Sequence, residues 1–205
     1  MKAVLALADG KIFKGTAFGA YGDADGEVIF NTNMTGYQEV VTDPSYYGQM
    51  VVMTFPLIGN YGINSEDFES EQPRLSALII KELSAISSNW RSQGTLHDFL
   101  NEHGVVGIQG IDTRSLVKCI RNEGAMNGII SSKELDENTL KGELKKHPEM
   151  VGLNLAKIVS CKKRYKWNNE RKKFKVAVID YGVKFNILRL LNDAGCSLSI
   201  FPSNI

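Results

Sequence analysis

GEVIFNTNMTGYQEVVTDPSY, residues 26–46, begins as a strand and ends as a turn. Glu27-Val28-Ile29-Phe30 is rich in residues that favour an extended chain. Asn31 to Thr35 are small and mostly polar, and they lead to Gly36. In Thr42-Asp43-Pro44-Ser45-Tyr46, Pro44 presets φ, and Asp43 and Ser45 can bond nearby backbone amides. A polar loop punctuated by Gly and Pro costs conformational entropy while burying little apolar surface, and such loops commonly carry function. The alternative is a well-capped connection between two strands.

Upstream, residues 3–8 predict a strand, Asp9-Gly10 a hairpin turn, and Lys11 to Phe18 its partner. Downstream, the near-continuous apolar run Gln49 to Phe55 predicts a strand buried on both faces. Strand signals at hairpin spacing within the first 55 residues predict a mostly antiparallel sheet. Residues 56–73 read as loop, broken by Gly59, Asn60, Gly62 and Asn64, and Leu75 to Leu83 as a strand. Thr95 can cap a helix carrying Leu96, Phe99 and Leu100, stopped by Gly104. Val105 to Ile108 is a short strand. Asp112 can cap a second helix with Leu116, Val117 and Ile120 on one face and Gly124 as its stop. Met126 to Ser131 is again a strand, and residues 136–147 a polar helix closed by His147-Pro148. This alternation predicts helices packed on a sheet.

Residues 161–175, CKKRYKWNNERKKFK, hold eight Lys or Arg against one Glu, hence +7; the total of +1 leaves about −6 for the remaining residues. The stretch is either a nucleic-acid patch interleaved with Tyr165, Trp167 and Phe174 or a solvated linker, and the pattern that follows favours the linker. Lys175 to Asp180 is a buried-strand run ending in a turn at Tyr181-Gly182. A helix with Ile187, Leu188, Leu190 and Leu191 on its stripe follows, then Gly195 and a strand from Cys196 to Phe201. This is one βαβ unit. It lacks the glycine patterns of dinucleotide and phosphate loops.

With 43% hydrophobic and 23% charged residues, the 205-residue chain has the composition of a soluble globular protein. Its net charge gives no general attraction to nucleic acid or membrane. Cys119, Cys161 and Cys196 form no C-x-x-C, and His97, His103 and His147 form no H-x-x-x-H pair, so no metal site is expected. Unpaired cysteines, a first apolar run too short for a signal peptide, and no membrane-length apolar window predict a cytoplasmic protein.

The opening stretch resembles the signature of the small, glutamine-hydrolysing subunit of carbamoyl phosphate synthetase. The likeness continues at Gly59-Asn60-Tyr61-Gly62, at Gly110 to Arg114, at Glu123 to Gly128 and at Asp180 to Arg189, in the family's order. Blocks in register across nearly the whole chain are far more specific than one. The resemblance implies an α/β chain: a layered β/β/α N-terminal domain over 1–150, a basic linker over 151–174, and over 175–205 the start of a class I glutamine amidotransferase (flavodoxin-like) domain. It implies that glutamine is hydrolysed and its ammonia passed to a large subunit. That subunit makes carbamoyl phosphate for pyrimidine or arginine synthesis with ATP, magnesium and bicarbonate, so no cofactor is expected on this chain. It also implies one glutamine contact, Ser45 in T-D-P-S-Y, through its hydroxyl or backbone amide; a purely local role for Ser45 is capping its turn.

The amidotransferase chemistry needs a cysteine on a strand-to-helix elbow, activated by a histidine. Here Gly195-Cys196 lies after a helix and before a strand, Cys119 falls within a predicted helix, and Cys161 opens the basic stretch. No catalytic residue is expected, and the end at Ile205 reads as a piece that stops early in the glutaminase domain or as a naturally short paralogue. Two rivals from other classes are a pure assembly module and a nucleic-acid binder using 161–175. A steep salt dependence of nucleic-acid affinity would mark the second.

Overall fold

The computed structural model describes residues 1–146, 150, 152–168 and 173–204. Strands β1 (Lys2–Leu7) and β2 (Ile12–Gly19) form the expected hairpin, with Ala6 opposite Ile12. β3 (Asp23–Asn31) and β4 (Gln49–Met53) follow, then the short β5 (Leu57–Ile58), β6 (Ala77–Ile79), β7 (Glu82–Leu83), β8 (Val106–Gln109) and β9 (Met126–Ser131). Seven of these close into a barrel in the order β1-β2-β8-β6-β4-β3-β9, so the expected sheet layers join edge to edge. Closure leaves the barrel no open edge to pair with other chains.

The pairing is not mostly antiparallel. β3–β4, β4–β6 and β6–β8 are parallel. Parallel neighbours need a crossover, and the β3–β4 crossover is the stretch read as loop. It holds helix α1 (Tyr37–Thr42) and a 3-10 turn (Pro44–Tyr46). β6 returns to β8 through α2 (Leu96–Glu102).

Strand alternation sorts the core into layers. Leu5, Leu7, Met50, Val52, Ile79 and Ile108 share one cluster, to which α3 (Thr113–Glu123) adds Leu116, Cys119 and Ile120. Val51, Met53, Leu78 and Ile80 point the other way, onto Val40 and Val41 of α1 and Leu96 and Leu100 of α2. β4 is thus buried on both faces, as its apolar run predicts. Val4, Ala6 and Ile129 receive Leu140 and Leu144 of α4 (Glu137–Leu144). Two leucines one turn apart give this otherwise polar helix about 3–5 kcal/mol of burial. The His147-Pro148 stop lies outside the described residues.

The caps stand where the sequence puts them: Thr95 and Asp112 accept from the Asp98 and Ser115 amides at 3.1 and 2.9 Å.

The stretch read as a linker carries structure of its own. α5 (Leu155–Val159) precedes β10 (Tyr165–Lys166), which pairs antiparallel with β12 (Cys196–Pro202). β11 (Phe174–Asp180) runs parallel to β12, and α6 (Phe185–Asp193) connects them as the expected βαβ unit. Residues 169–172 of the basic stretch lie outside the described residues. Only part of the expected α6 stripe turns inward: Leu188 is buried and Leu191 half-buried, while Ile187 and Leu190 remain exposed. Positions 188 and 191 share one face of a 3.6-residue helix.

Candidate functional site

The 36–46 stretch is assembled on the loop that follows β5. Tyr61 Oη accepts from the Gly36 and Tyr37 amides at 2.9 and 2.8 Å, and Tyr37 Oη donates to the Gly62 carbonyl at 2.7 Å. The two rings stack with centroids 4.0 Å apart. Burial raises both phenols, that of Tyr61 to about 12, so both stay protonated at neutral pH. Gln38, fully buried, bonds the Asn64 backbone twice, donating to its carbonyl at 2.5 Å and accepting from its amide at 2.9 Å. Gly36 opens α1 at φ 82°, a conformation a side chain would oppose. The Gly36-Tyr37-Gln38 and Asn60-Tyr61-Gly62 blocks are therefore two halves of one unit.

At the end of that unit Asp43 divides its carboxylate between two partners. Oδ1 accepts from the Ser45 amide at 2.9 Å, and Oδ2 meets Lys184 Nζ at 2.7 Å. The bond to Asp43 is the main cause that raises the Lys184 pKa, so this ammonium stays charged. Asp43 is the N-cap and Pro44 takes the first position of the turn. The capping role considered for Ser45 thus belongs to Asp43, and Asp-Pro was the signal for it. Ser45 is exposed and its amide is committed to Asp43.

Across from this turn stands the end of β11. Buried Asp180 accepts from the Gly182 and Val183 amides through Oδ1, both at 2.8 Å, and from the Cys161 amide through Oδ2 at 2.7 Å. Gly182, at φ 95°, permits a close approach. A Cβ there would lie 2.8 Å from Val159 Cγ2 and 3.1 Å from Pro44 Cβ. The seam between the two turns borders a cavity of about 650 Å³ lined by residues that include Pro44, Arg74, Ser160, Lys162, Asp180 and Phe185. Ser45 follows directly on its Pro44 wall.

None of the three cysteines stands on an elbow. Cys119 is on α3, Cys161 follows α5, and Cys196 opens β12. Burial raises the thiol pKa of Cys119 and Cys161, away from a nucleophilic thiolate. His97 Nδ1 accepts from the Gly19 amide and His103 Nδ1 contacts the Phe99 carbonyl. Among the described residues no thiol is hydrogen-bonded to an imidazole.

One cluster was not foreseen. Asp9, Cys119 and Glu123 present ligand atoms within 4.8 Å of one another. Lys11 Nζ sits among them, 2.6 Å from Asp9, 2.9 Å from Glu123 and 3.0 Å from Cys119. The ammonium fills the place a cation would take and clamps the first hairpin to α3. In the basic stretch, Arg164 lies over the Phe201 ring and Lys166 is a residue of β10.

The small-chain profile of carbamoyl-phosphate synthase, CPSase domain, matches residues 5–130, more than half of the chain. The chain belongs to the carbamoyl-phosphate synthase small chain family. Carbamoyl phosphate synthase small chains of Syntrophotalea carbinolica, Chlorobaculum tepidum and Aquifex aeolicus are 52%, 50% and 48% identical to it over 99%, 97% and 98% of its length. The chain spans 57%, 54% and 57% of the length of these relatives. Among the described residues no helix is long and apolar enough to cross a membrane.

Three of the blocks that carry the family likeness meet in space, and the other two serve the barrel. Two build the Tyr37–Tyr61 unit, Asp112 caps α3, Gly128 pairs with β1, and Asp180 to Arg189 packs against the Pro44 turn. The sequence singled out Ser45 through that likeness alone. Glu69 and Lys184 escaped because their partners, Thr42 and Asn186 for the one and Asp43 for the other, are mostly remote along the chain.

Proposed function

We propose that this chain serves glutamine-dependent carbamoyl phosphate synthesis in the cytoplasm, with Ser45 as a contact for glutamine. In this reading residues 1–150 are a scaffold that docks a large partner subunit carrying the ATP and magnesium sites. Residues 151–174 connect it to the opening of a flavodoxin-like glutaminase domain at 175–205. The observation that carries the reading is the exposed Ser45 hydroxyl, on a turn fixed by Asp43 and set against the C-terminal βαβ unit. A serine hydroxyl can donate to the carboxylate of an amino acid or accept from its ammonium group. The attacking thiol is not assigned to Cys119, Cys161 or Cys196.

The test is kinetic, in the synthase assembled from a full-length small chain carrying this sequence and its large partner. Loss of one hydrogen bond to a charged group costs about 1.5–3 kcal/mol. Ser45→Ala should therefore raise KM for glutamine by roughly tenfold to a hundredfold. Synthesis from free ammonia bypasses glutamine and should change little. A Ser45→Ala enzyme with wild-type KM for glutamine contradicts the assignment.

A further inference from the structure

The geometry points to Glu69 as the positioning residue that holds the C-terminal βαβ unit in register on the barrel, by capping helix α6 from outside its own unit. The N-cap position of α6 is Lys184, and no side chain of its own accepts there. A helix leaves its first amides without partners, and a buried or docked end must find acceptors elsewhere. Glu69 supplies two: its carbonyl accepts from the Phe185 amide at 3.0 Å, and its Oε2 accepts from the Asn186 amide at 2.9 Å. Arg189, one turn on, reaches back from Nη2 to the Phe68 carbonyl at 2.9 Å. A carboxylate at a helix N-terminus is also favoured by the helix dipole.

Glu69 is in turn fixed from the barrel side. Its amide donates to Thr42 Oγ1 at 2.9 Å, and Thr42 Oγ1 donates to the Gln38 carbonyl at 2.9 Å. The next residue, Ser70, donates to the Thr42 carbonyl at 2.6 Å. An unbroken run of bonds therefore leads from α1, past the residue that precedes Asp43, through Glu69 to the first turn of α6. With the Asp43–Lys184 pair it makes a two-point latch across the seam. Two points fix orientation where one would leave a pivot, so the distance from Ser45 to the C-terminal unit depends on Glu69.

The functional consequence rests on the reading of Ser45 as a glutamine contact. If only the docked register binds glutamine well, KM rises in inverse proportion to the docked fraction that remains. Loss of a cap is worth about threefold to thirtyfold in that equilibrium. In the assembled synthase, Glu69→Ala should raise KM for glutamine by up to about thirtyfold, the full factor applying where the docked register is the minority, with ammonia-dependent synthesis unchanged. Glu69→Gln, which keeps an acceptor for the Asn186 amide, should restore KM to within about twofold of wild type. Amide exchange at Phe185 and Asn186 should accelerate in Glu69→Ala while β1 and β4 stay protected. If the alanine variant does not fold, Glu69→Ser, too short to reach the same amide, carries the same expectations. Wild-type KM together with unchanged exchange at Phe185 and Asn186 in Glu69→Ala, while Ser45→Ala raises KM, overturns the role of Glu69 and leaves the Ser45 reading standing. If Ser45→Ala is itself silent, the reading of Ser45 has failed, and exchange decides the latch: faster exchange at Phe185 and Asn186 supports it, and unchanged exchange overturns it.

Discussion

Replacing Asp43 separates the two tasks its carboxylate performs. Asp43→Ala removes the acceptor for the Ser45 amide, a capping loss of about 1 kcal/mol. It also removes the ion pair with Lys184, whose side chain is 42% exposed. Solvent screens a pair of that kind to about 0.5–1 kcal/mol. The alanine variant should therefore lose about 1.5–2 kcal/mol. Asp43→Asn keeps an oxygen for the Ser45 amide and forfeits only the pair, so it should lose about 0.5–1 kcal/mol. Urea unfolding of the 205-residue chain, followed by circular dichroism, measures both. Salt at 1 M should shrink the deficit of the asparagine variant and spare the gap between the two variants. The pairing raises Lys184 above its ordinary 10.5, so its contribution is full below that pH and disappears as pH climbs through the folded value. Equal losses for Asn and Ala, or none for either, would refute the division of labour.

Two further outcomes follow from the same geometry. Tyr61→Phe leaves the Gly36 and Tyr37 amides without their acceptor and should cost about 2 kcal/mol in the same titration; a loss under about 0.5 kcal/mol would count against the Tyr37–Tyr61 unit as a support. Glu39 carries a buried carboxylate oxygen with no partner among the described residues, and burial raises its pKa above 4.5. A raised carboxylate favours the protonated fold, so this group stabilises below pH 4.5 and loses that contribution as pH rises through the folded value. Glu39→Gln should therefore raise Tm at pH 7 and flatten the pH dependence of stability just above pH 4.5; an unchanged profile would place the carboxylate in water.

What the sequence discloses follows the range of the interaction. The first hairpin, the Thr95 and Asp112 caps and the doubly buried β4 depend on residues close together in the chain, and all are legible. Helix α1 is not, because six residues show no period and its support comes from Tyr61 and Asn64 across a loop. The parallel pairings hide for the same reason: strand spacing suits a hairpin, yet α1 and the Pro44 turn fold the chain over into a crossover. Charge masked β10, whose Lys166 lies in a sheet although its neighbours read as linker. At the candidate site, Ser45 emerges from its motif, whereas Glu69 and Lys184 acquire meaning only once β11 and α6 stand against the barrel.

Chemical footprinting of position 45 asks whether glutamine meets this turn. Ser45→Cys places a thiol where the hydroxyl stands, and its alkylation in the assembled synthase can be followed by peptide mass spectrometry. Saturating glutamine should slow alkylation at position 45 by roughly tenfold or more, as occupancy by a ligand in contact requires. Free ammonia should leave the rate unchanged. An alkylation rate indifferent to glutamine, in an enzyme that still consumes it, would contradict the claim that this turn meets the substrate.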